Sequence, residues 1–193
     1  MTQNRRDRRL GITPEAVAKI ARATYPEHRV FELYDRLIVD NDRIGGDADK
    51  HWESLTRGQQ LLVRLAVFDM EVCNGGVEQY FWNRPDRIFE IHGLLESLDV
   101  RPLTEAYEGA LQALAGKETP WLRLRERFAG ASQADLQLFL DSVELLDLQA
   151  FDSTYYGEWD GHGTKLKPGL GNLLGDGLLE YVLAHPAEFC AGT

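Results

Sequence analysis

Residues 57–83 read RGQQLLVRLAVFDMEVCNGGVEQYFWN, and this stretch decides the fold. Apolar side chains occupy nearly every side of a helix over about 57–73, a pattern typical of a helix at the centre of a core. Asn74, Gly75 and Gly76 stop that helix, because asparagine and glycine favour the backbone conformations that end helices. A short helix over about 77–83 follows. The stretch therefore predicts two consecutive helices joined by a tight break.

Helical periodicity continues on both sides of this stretch. Further helices are predicted over about 13–24, 30–43, 86–98, 103–115, 133–150 and 172–184. No segment gives a clear strand pattern, because none sustains a two-residue alternation of apolar and polar side chains. The fold class is therefore all-α: a single-domain helical bundle of about eight helices, with a glycine-rich loop near 157–177. We expect a basic, flexible arm at 1–12 and one all-helical domain at 13–193.

The chain is acidic, with 21 Lys and Arg against 31 Asp and Glu among 193 residues and a net charge of −10. Residues 1–29 hold 7 basic and 3 acidic groups, whereas residues 30–193 hold 14 and 28. A conventional duplex-DNA binder needs a basic face, so direct nucleic-acid binding is not expected.

Membrane and secretory signals are also missing from the sequence. No apolar run is long enough to cross a membrane, and no apolar segment follows the basic residues 5–9. Cys73 and Cys190 are expected to be free thiols in a reducing compartment. The sequence thus predicts a cytoplasmic protein without a membrane partner.

The acidic run at 128–164 contains no Lys or Arg. On a helix over 133–150, Asp141, Glu144 and Asp147 would lie opposite the leucines, about 4.5 Å apart along the axis. Such a stripe is either a solvated surface that aids solubility or a contact face for a basic partner. The residues of this predicted acidic face are Asp135, Asp141, Glu144, Asp147, Asp152, Glu158 and Asp160.

A polar cluster surrounds the predicted break. Asp69 and Glu71 lie near the end of a largely apolar helix and need partners or solvent, because an unpaired buried acid is costly. Gln79 and Asn83 are four residues apart on one helix face and can donate hydrogen bonds. The cluster is a structural knot that fixes the break, a small-ligand or catalytic pocket, or a contact surface. Its members are Asp69, Glu71, Asn74, Gly75, Gly76, Gln79 and Asn83.

Catalytic and metal-binding motifs do not match the sequence. The five histidines never occur at metal-ligand spacing, and the glycine-rich residues 161–165 lack the spacing of a phosphate-binding loop. No Gly-x-Ser-x-Gly elbow is present. We therefore expect no metal, no cofactor and no enzymatic activity.

Residues 69–83 resemble the signature of the DMP-nineteen-like family, a bacterial family of DNA-mimic proteins of largely unknown function. The segment LTRGQ at 55–59 resembles the family's Leu-Thr-x-Gly-Gln lead-in, and residues 178–189 resemble its closing helix. The resemblance covers roughly 52–190. It implies an all-helical domain and a non-enzymatic regulator that occupies the DNA-binding face of a basic transcription factor or nucleoid protein. Arg123, Arg125 and Arg127 depart from a uniformly acidic mimic.

Three functions remain open from the sequence. The first is the acidic regulator with a basic DNA-binding protein as its partner. The second is a structural or interaction protein, antitoxin-like or immunity-like, without DNA mimicry. The third is an enzyme or small-ligand domain that uses the cluster at 69–83. The oligomeric state is also open, a homodimer included. Tyr155, Tyr156 and Trp159 mark either a contact site or core packing.

Overall fold

The computed structural model describes residues 14–22, 28–38, 52–53, 55–143, 148–159 and 165–189. The chain divides into two compact units, one of residues 1–66 and 175–193 and the other of residues 67–174. The described ranges hold nine α-helices and one small two-stranded sheet, which confirms the all-α prediction. The single domain at 13–193 stays a prediction, and the basic arm at 1–12 lies outside the described residues.

The first unit is built around an apolar core supplied by helices. Its elements are α1 (Pro14–Ala21), α2 (Arg29–Ile38), residues 57–66 of α3 (Arg57–Asn83), residues 175–184 of α9 (Leu170–Ala184) and the 3-10 turn Pro186–Glu188. Helices α1 and α2 pack together. An ion pair joins Arg29 of α2 to Asp176 of α9. The core includes Val17, Ile20, Val30, Leu33, Leu62, Leu65, Leu178, Val182 and Phe189, all almost fully buried.

The second unit begins with the rest of α3 and ends with the start of α9. Between them lie the 3-10 turn Pro85–Arg87, α4 (Ile88–Ser97), α5 (Arg101–Ala115), α6 (Trp121–Arg127), α7 (Gln133–Ser142), α8 (Gln149–Tyr156), β1 (Gly157–Trp159) and β2 (Lys165–Pro168). Helix α5 packs against α4, α6 and α8, and α7 packs against the 3-10 turn. Helices α3, α5 and α8 supply the aromatic side chains at the centre of this unit.

An aromatic cluster fills the core of the second unit. The Phe68 ring makes edge-to-face contacts with Tyr80, Tyr107 and Tyr155, at centroid distances of 5.1, 5.5 and 5.9 Å. The Tyr107 hydroxyl donates a 2.8 Å hydrogen bond to the Ile88 carbonyl, so its buried polar end is satisfied. Tyr155 thus belongs to the core, whereas Tyr156 is partly exposed. The Trp159 side chain lies outside the described residues.

The single long helix predicted over 133–150 is wrong. Val143 has an extended backbone, with φ −84° and ψ 128°, and α7 ends at Ser142. Helix α8 begins again at Gln149. The apolar periodicity gives no sign of this break, because neither glycine nor proline occurs between residues 133 and 150. Residues 144–147 lie outside the described part of the chain.

The stretch near 157–177, predicted as a glycine-rich loop with some order, contains regular structure among its described residues. Residues 157–159 and 165–168 form an antiparallel hairpin, with Gly157 opposite Pro168 and Glu158 opposite Lys167. Helix α9 then begins at Leu170. Gly157 has φ +77°, and a Cβ there would lie 2.9 Å from the Pro168 carbonyl carbon, so the hairpin needs glycine at this position.

Helix α6 was not predicted from the sequence, and it is only seven residues long.

Candidate functional site

Helix α3 breaks at Gly75 and Gly76, where the sequence predicted the break. Gly76 has φ 81° and ψ 176°, a backbone conformation that is essentially restricted to glycine. A Cβ on Gly76 would lie 2.9 Å from the Asp152 carboxyl carbon. Two features therefore require glycine here: the positive φ and the close approach of an acid from α8.

Two side chains of α8 hold the two helix ends at this break. Asp152 Oδ1 accepts a 2.9 Å hydrogen bond from the backbone N–H of Val77, which begins the second segment. The Tyr156 hydroxyl donates to the carbonyl of Val72, near the end of the first segment. Helix ends leave such N–H and C=O groups without intrahelical partners. Residues 152 and 156 are four apart, so one face of α8 supplies partners to both ends.

Asp69 lies deeper, with only 3% of its surface exposed. Its Oδ1 accepts a hydrogen bond from the Tyr155 hydroxyl, and the Cys73 Sγ lies 3.8 Å away. Burial raises the pKa of Asp69, and the hydrogen bonds from Tyr155 and Cys73 oppose this shift. Burial, reinforced by the neighbouring Asp69 charge, raises the pKa of Tyr155 well above its usual value. Tyr155 therefore stays protonated and acts as the donor.

Glu71 forms a separate polar network with the second helical segment. Its Oε2 accepts hydrogen bonds from Gln79 Nε2 at 2.8 Å and Asn83 Nδ2 at 2.7 Å. The Arg84 Nε lies 3.7 Å from the other carboxylate oxygen. The two donors that the sequence predicted thus meet on one carboxylate across the break. Asn74 is exposed at the break.

The lead-in segment at 55–59 forms its own polar contacts within the first unit. The Thr56 hydroxyl donates to the carbonyl of Glu188, and Gln59 Nε2 donates to the carbonyl of Phe189 at 3.5 Å. A Cβ on Gly58 would lie 2.7 Å from atoms of both Glu188 and Phe189. The threonine, glycine and glutamine of this segment therefore fasten the start of α3 to the turn at 186–189.

The predicted acidic face is only partly assembled among the described residues. Asp135, Asp141 and Glu158 are exposed, but Asp135 belongs to the capping box of α7 with Ser132, whose hydrogen bonds lower the pKa of Asp135. Asp152 points to Val77 at the break. Because α7 ends at Ser142, the predicted helical stripe that begins at Asp141 does not continue along α7. Glu144, Asp147 and Asp160 lie outside the described residues.

A second acidic surface, missed by the sequence analysis, lies on the hairpin of α4 and α5. Its carboxylates partly enclose the buried His92, whose Nε2 lies 2.7 Å from Glu108 Oε1 and whose Nδ1 lies 3.4 Å from Glu96 Oε2. A charge count would have found it, because residues 88–115 hold five acids and one base. We call this the hairpin acidic surface; its acids are Glu90, Glu96, Asp99, Glu105 and Glu108.

One further candidate site is a surface groove of the second unit. A groove of about 330 Å³ runs between α5 and α8 and is lined mainly by small and apolar residues: Ala106, Gly109, Ala110, Ala113, Leu148, Ala150, Phe151 and Thr154. Among the described residues, no three His, Cys, Asp or Glu side chains are grouped to hold a metal ion. None of the helices in the described ranges combines the length and hydropathy needed to cross a membrane.

Comparisons with known proteins identify the family. No curated protein and no solved structure matches the chain. A sequence model of the family described as DMP19-like protein matches residues 53–183. That match covers the lead-in segment, the whole polar cluster and most of α9. The chain is therefore a member of the DMP19-like protein family.

Proposed function

We propose that this chain is a non-enzymatic acidic regulator that binds the DNA-binding face of a basic protein. The observation that carries this proposal is the hairpin acidic surface, where Glu96, Asp99 and Glu105 are exposed on α4, on α5 and in the turn between them. Glu90, at the start of α4, forms a 3.1 Å ion pair with Arg87. Membership of the DMP19-like family supports it.

The charge of the second unit supports the same proposal. Residues 67–174 hold 18 acidic and 9 basic residues, a net charge of −9, which is most of the −10 of the whole chain. A basic partner would therefore be drawn to this unit, and complementary charge accelerates encounter at low ionic strength.

Carboxylates can replace phosphates as ligands of arginine and lysine, because both present oxygens in a geometry that suits charge-assisted hydrogen bonds. Residues 105 and 108 are three apart on α5, which separates them by about 4.5 Å along the axis. Phosphates follow one DNA strand at about 3.4 Å of axis. The axial spacing of these two carboxylates is therefore of the same order as that of phosphates along one strand.

In this proposal the polar cluster at 69–83 shapes the protein and does not perform chemistry. Gln79 and Asn83 donate to Glu71, and Tyr155 donates to Asp69. These bonds support a role in holding the bend of α3.

The test is retention of a basic protein from native cell extract on the immobilised chain, read by mass spectrometry. We expect a DNA-binding protein to be retained at low salt, lost at high salt and displaced by duplex DNA, because ion pairs at exposed sites are screened. Retention that ignores both salt and DNA would favour an interaction protein without mimicry and would contradict the proposal.

Charge-reversed variants sharpen the test. Glu96→Lys and Glu105→Lys each place a cation at an exposed position of the hairpin acidic surface, and the double variant changes the charge by four units. The matched control is the double variant Glu53→Lys, Glu180→Lys, which makes the same change at exposed positions of the first unit. We expect the first pair to weaken binding by about tenfold or more and the control to weaken it less. Equal weakening by both pairs would show that net charge alone, without this surface, governs binding.

A further inference from the structure

Helix α6 carries a charge opposite to that of the rest of its unit. Its sequence WLRLRER contains three arginines and one acid. All three arginines are exposed, and Arg123 forms a 2.8 Å ion pair with Glu126 of the same helix. Because residues 67–174 have a net charge of −9, this basic helix is a local exception that the proposed acidic function does not use. We call Leu122, Arg123, Arg125 and Arg127 the α6 surface.

Aromatic rings support two of these arginines. The Arg125 guanidinium carbon lies 6.0 Å from the Trp121 ring centroid. The Arg127 guanidinium carbon lies 5.1 Å from the Phe128 centroid and 5.8 Å from the Phe139 centroid. A cation over a ring face is attracted by the ring without using its N–H groups. Both guanidinium groups are therefore held in place while their donors can still serve a ligand.

Exposed leucines accompany the arginines. Leu122 is 51% exposed and lies three residues from Arg125, on the same side of α6. Leu138 is 71% exposed and precedes Phe139, the ring beneath Arg127, in the chain. The Phe128 and Phe139 rings are themselves in contact, with centroids 4.9 Å apart. Leu122 thus offers an apolar contact beside the Arg125 cation.

We propose that the α6 surface binds an acidic segment of a partner protein that also carries apolar side chains. Arginine pairs with carboxylates in a bidentate fork, which favours such a segment over a neutral one. The exposed leucines would pack against its apolar side chains, and they offer nothing to a sugar-phosphate chain.

This inference is independent of the proposed function. The α6 surface would take an acidic ligand, whereas the acidic surface would take a basic one. Failure of either test leaves the other unchanged. If both succeed, the chain joins two partners of opposite charge.

The experiment uses the full chain and three fluorescein-labelled peptides of about 15 residues, long enough for several helical turns. One peptide has Glu and Leu at helical spacing, one has Lys in place of Glu, and one contains Glu without Leu. Fluorescence anisotropy measures the binding of each peptide. A single-stranded oligodeoxynucleotide serves as the phosphate competitor.

The variant Arg125→Gln, Arg127→Gln removes the two ring-supported cations from the α6 surface. The matched control is Arg101→Gln, Lys117→Gln, which removes two exposed cations elsewhere in the same unit. Leu122→Ser tests the apolar contact. All exchanged residues are exposed, and far-UV circular dichroism verifies that each variant keeps its helices.

We expect the Glu and Leu peptide to bind, and to bind more tightly than either of the other two. The arginine pair variant should weaken that binding about tenfold, Leu122→Ser severalfold, and the control pair less than twofold. Three results would overturn the inference: no binding of the Glu and Leu peptide, equal weakening by the two pair variants, or displacement of the peptide by the oligonucleotide at lower concentration than by unlabelled peptide.

Discussion

Gly76→Ala is the most revealing substitution in the bend of α3. Gly76 combines φ 81° with ψ 176°, and holding a side-chain-bearing residue there costs about 1–3 kcal/mol. The new Cβ would also lie 2.9 Å from the Asp152 carboxyl carbon. The carboxylate would have to move and give up its hydrogen bond from Val77, which contributes about 1.5–3 kcal/mol for a charged acceptor. We therefore expect a loss of about 3–5 kcal/mol in the free energy of unfolding.

Urea unfolding followed by far-UV circular dichroism measures this loss. The matched controls are Gly93→Ala in α4 and Gly109→Ala in α5, where an added Cβ would meet nothing within 4 Å. Both glycines lie inside helices, so alanine should raise the free energy of unfolding by up to about 1 kcal/mol. The same exchange thus has opposite signs at the bend and in the helices.

A double-mutant cycle separates the two costs at Gly76. In the background of Asp152→Ala the carboxylate is gone, so Gly76→Ala should cost only the backbone strain of about 1–3 kcal/mol. The reasoning is refuted if Gly76→Ala costs less than about 1 kcal/mol in the unmodified chain. An equal cost in both backgrounds would refute the part that concerns the carboxylate.

Three further substitutions test the buried acid, the helix cap and the bond at the break. Burial raises the pKa of Asp69, so the folded chain binds this proton more tightly than the unfolded chain does. The free energy of unfolding therefore falls as the pH rises from the ordinary Asp pKa to the raised one. Asp69→Asn should flatten that fall in urea titrations at several pH values, and an unchanged slope would contradict the prediction. Ser132→Ala removes the cap of α7 and should cost about 1 kcal/mol at neutral pH. The pKa of Asp135 is lowered by its hydrogen bonds to Ser132, so its carboxylate stabilises the fold above the ordinary Asp pKa. The cost of Ser132→Ala should therefore shrink as the pH falls through the lowered pKa of Asp135. A cost that does not change with pH would argue against the bond between Ser132 and the Asp135 carboxylate. Tyr156→Phe removes the donor to the Val72 carbonyl and should cost up to about 1 kcal/mol in the same assay, whereas unfolding identical to the unmodified chain would show that water replaces the bond.

Local chemistry was sufficient to predict several elements. The break at Gly75 and Gly76 was predicted because glycine is the residue that ends helices. The spacing of four residues predicted that Gln79 and Asn83 lie on one helix face, and both side chains donate to Glu71. Each of these predictions depends on neighbours within one or two helical turns.

The wrong predictions involve contacts that are distant in sequence. The helix break after Ser142 carries no local signal, and its result is that α8 presents Asp152 and Tyr156 to α3. Asp152 was assigned to the acidic face because its carboxylate resembles every other acid in the run. Its bond to Val77 spans 75 residues, and no spacing rule reaches so far.

The hairpin acidic surface was overlooked for a related reason. The acidic run at 128–164 contains no Lys or Arg, whereas Arg101 interrupts the acidic residues at 88–115. Only the uninterrupted run is conspicuous in the sequence. In the structure the turn between α4 and α5 brings their acids onto one helical hairpin. Charge density on a surface depends on which helices pair, which the one-dimensional pattern does not contain.

The bend of α3 depends on residues that are synthesised long after the helix itself. A ribosome makes residues 57–83 well before residues 149–156, so the helix ends at Gly75 and Gly76 emerge without Asp152, Tyr155 and Tyr156. The bonds that hold the bend close loops of 75 to 86 residues, and such distant contacts form after local helices. A nascent chain that stops before α8 would contain both segments of α3 without the residues that set their angle. The angle of this bend is therefore fixed only after residues 149–156 have been synthesised.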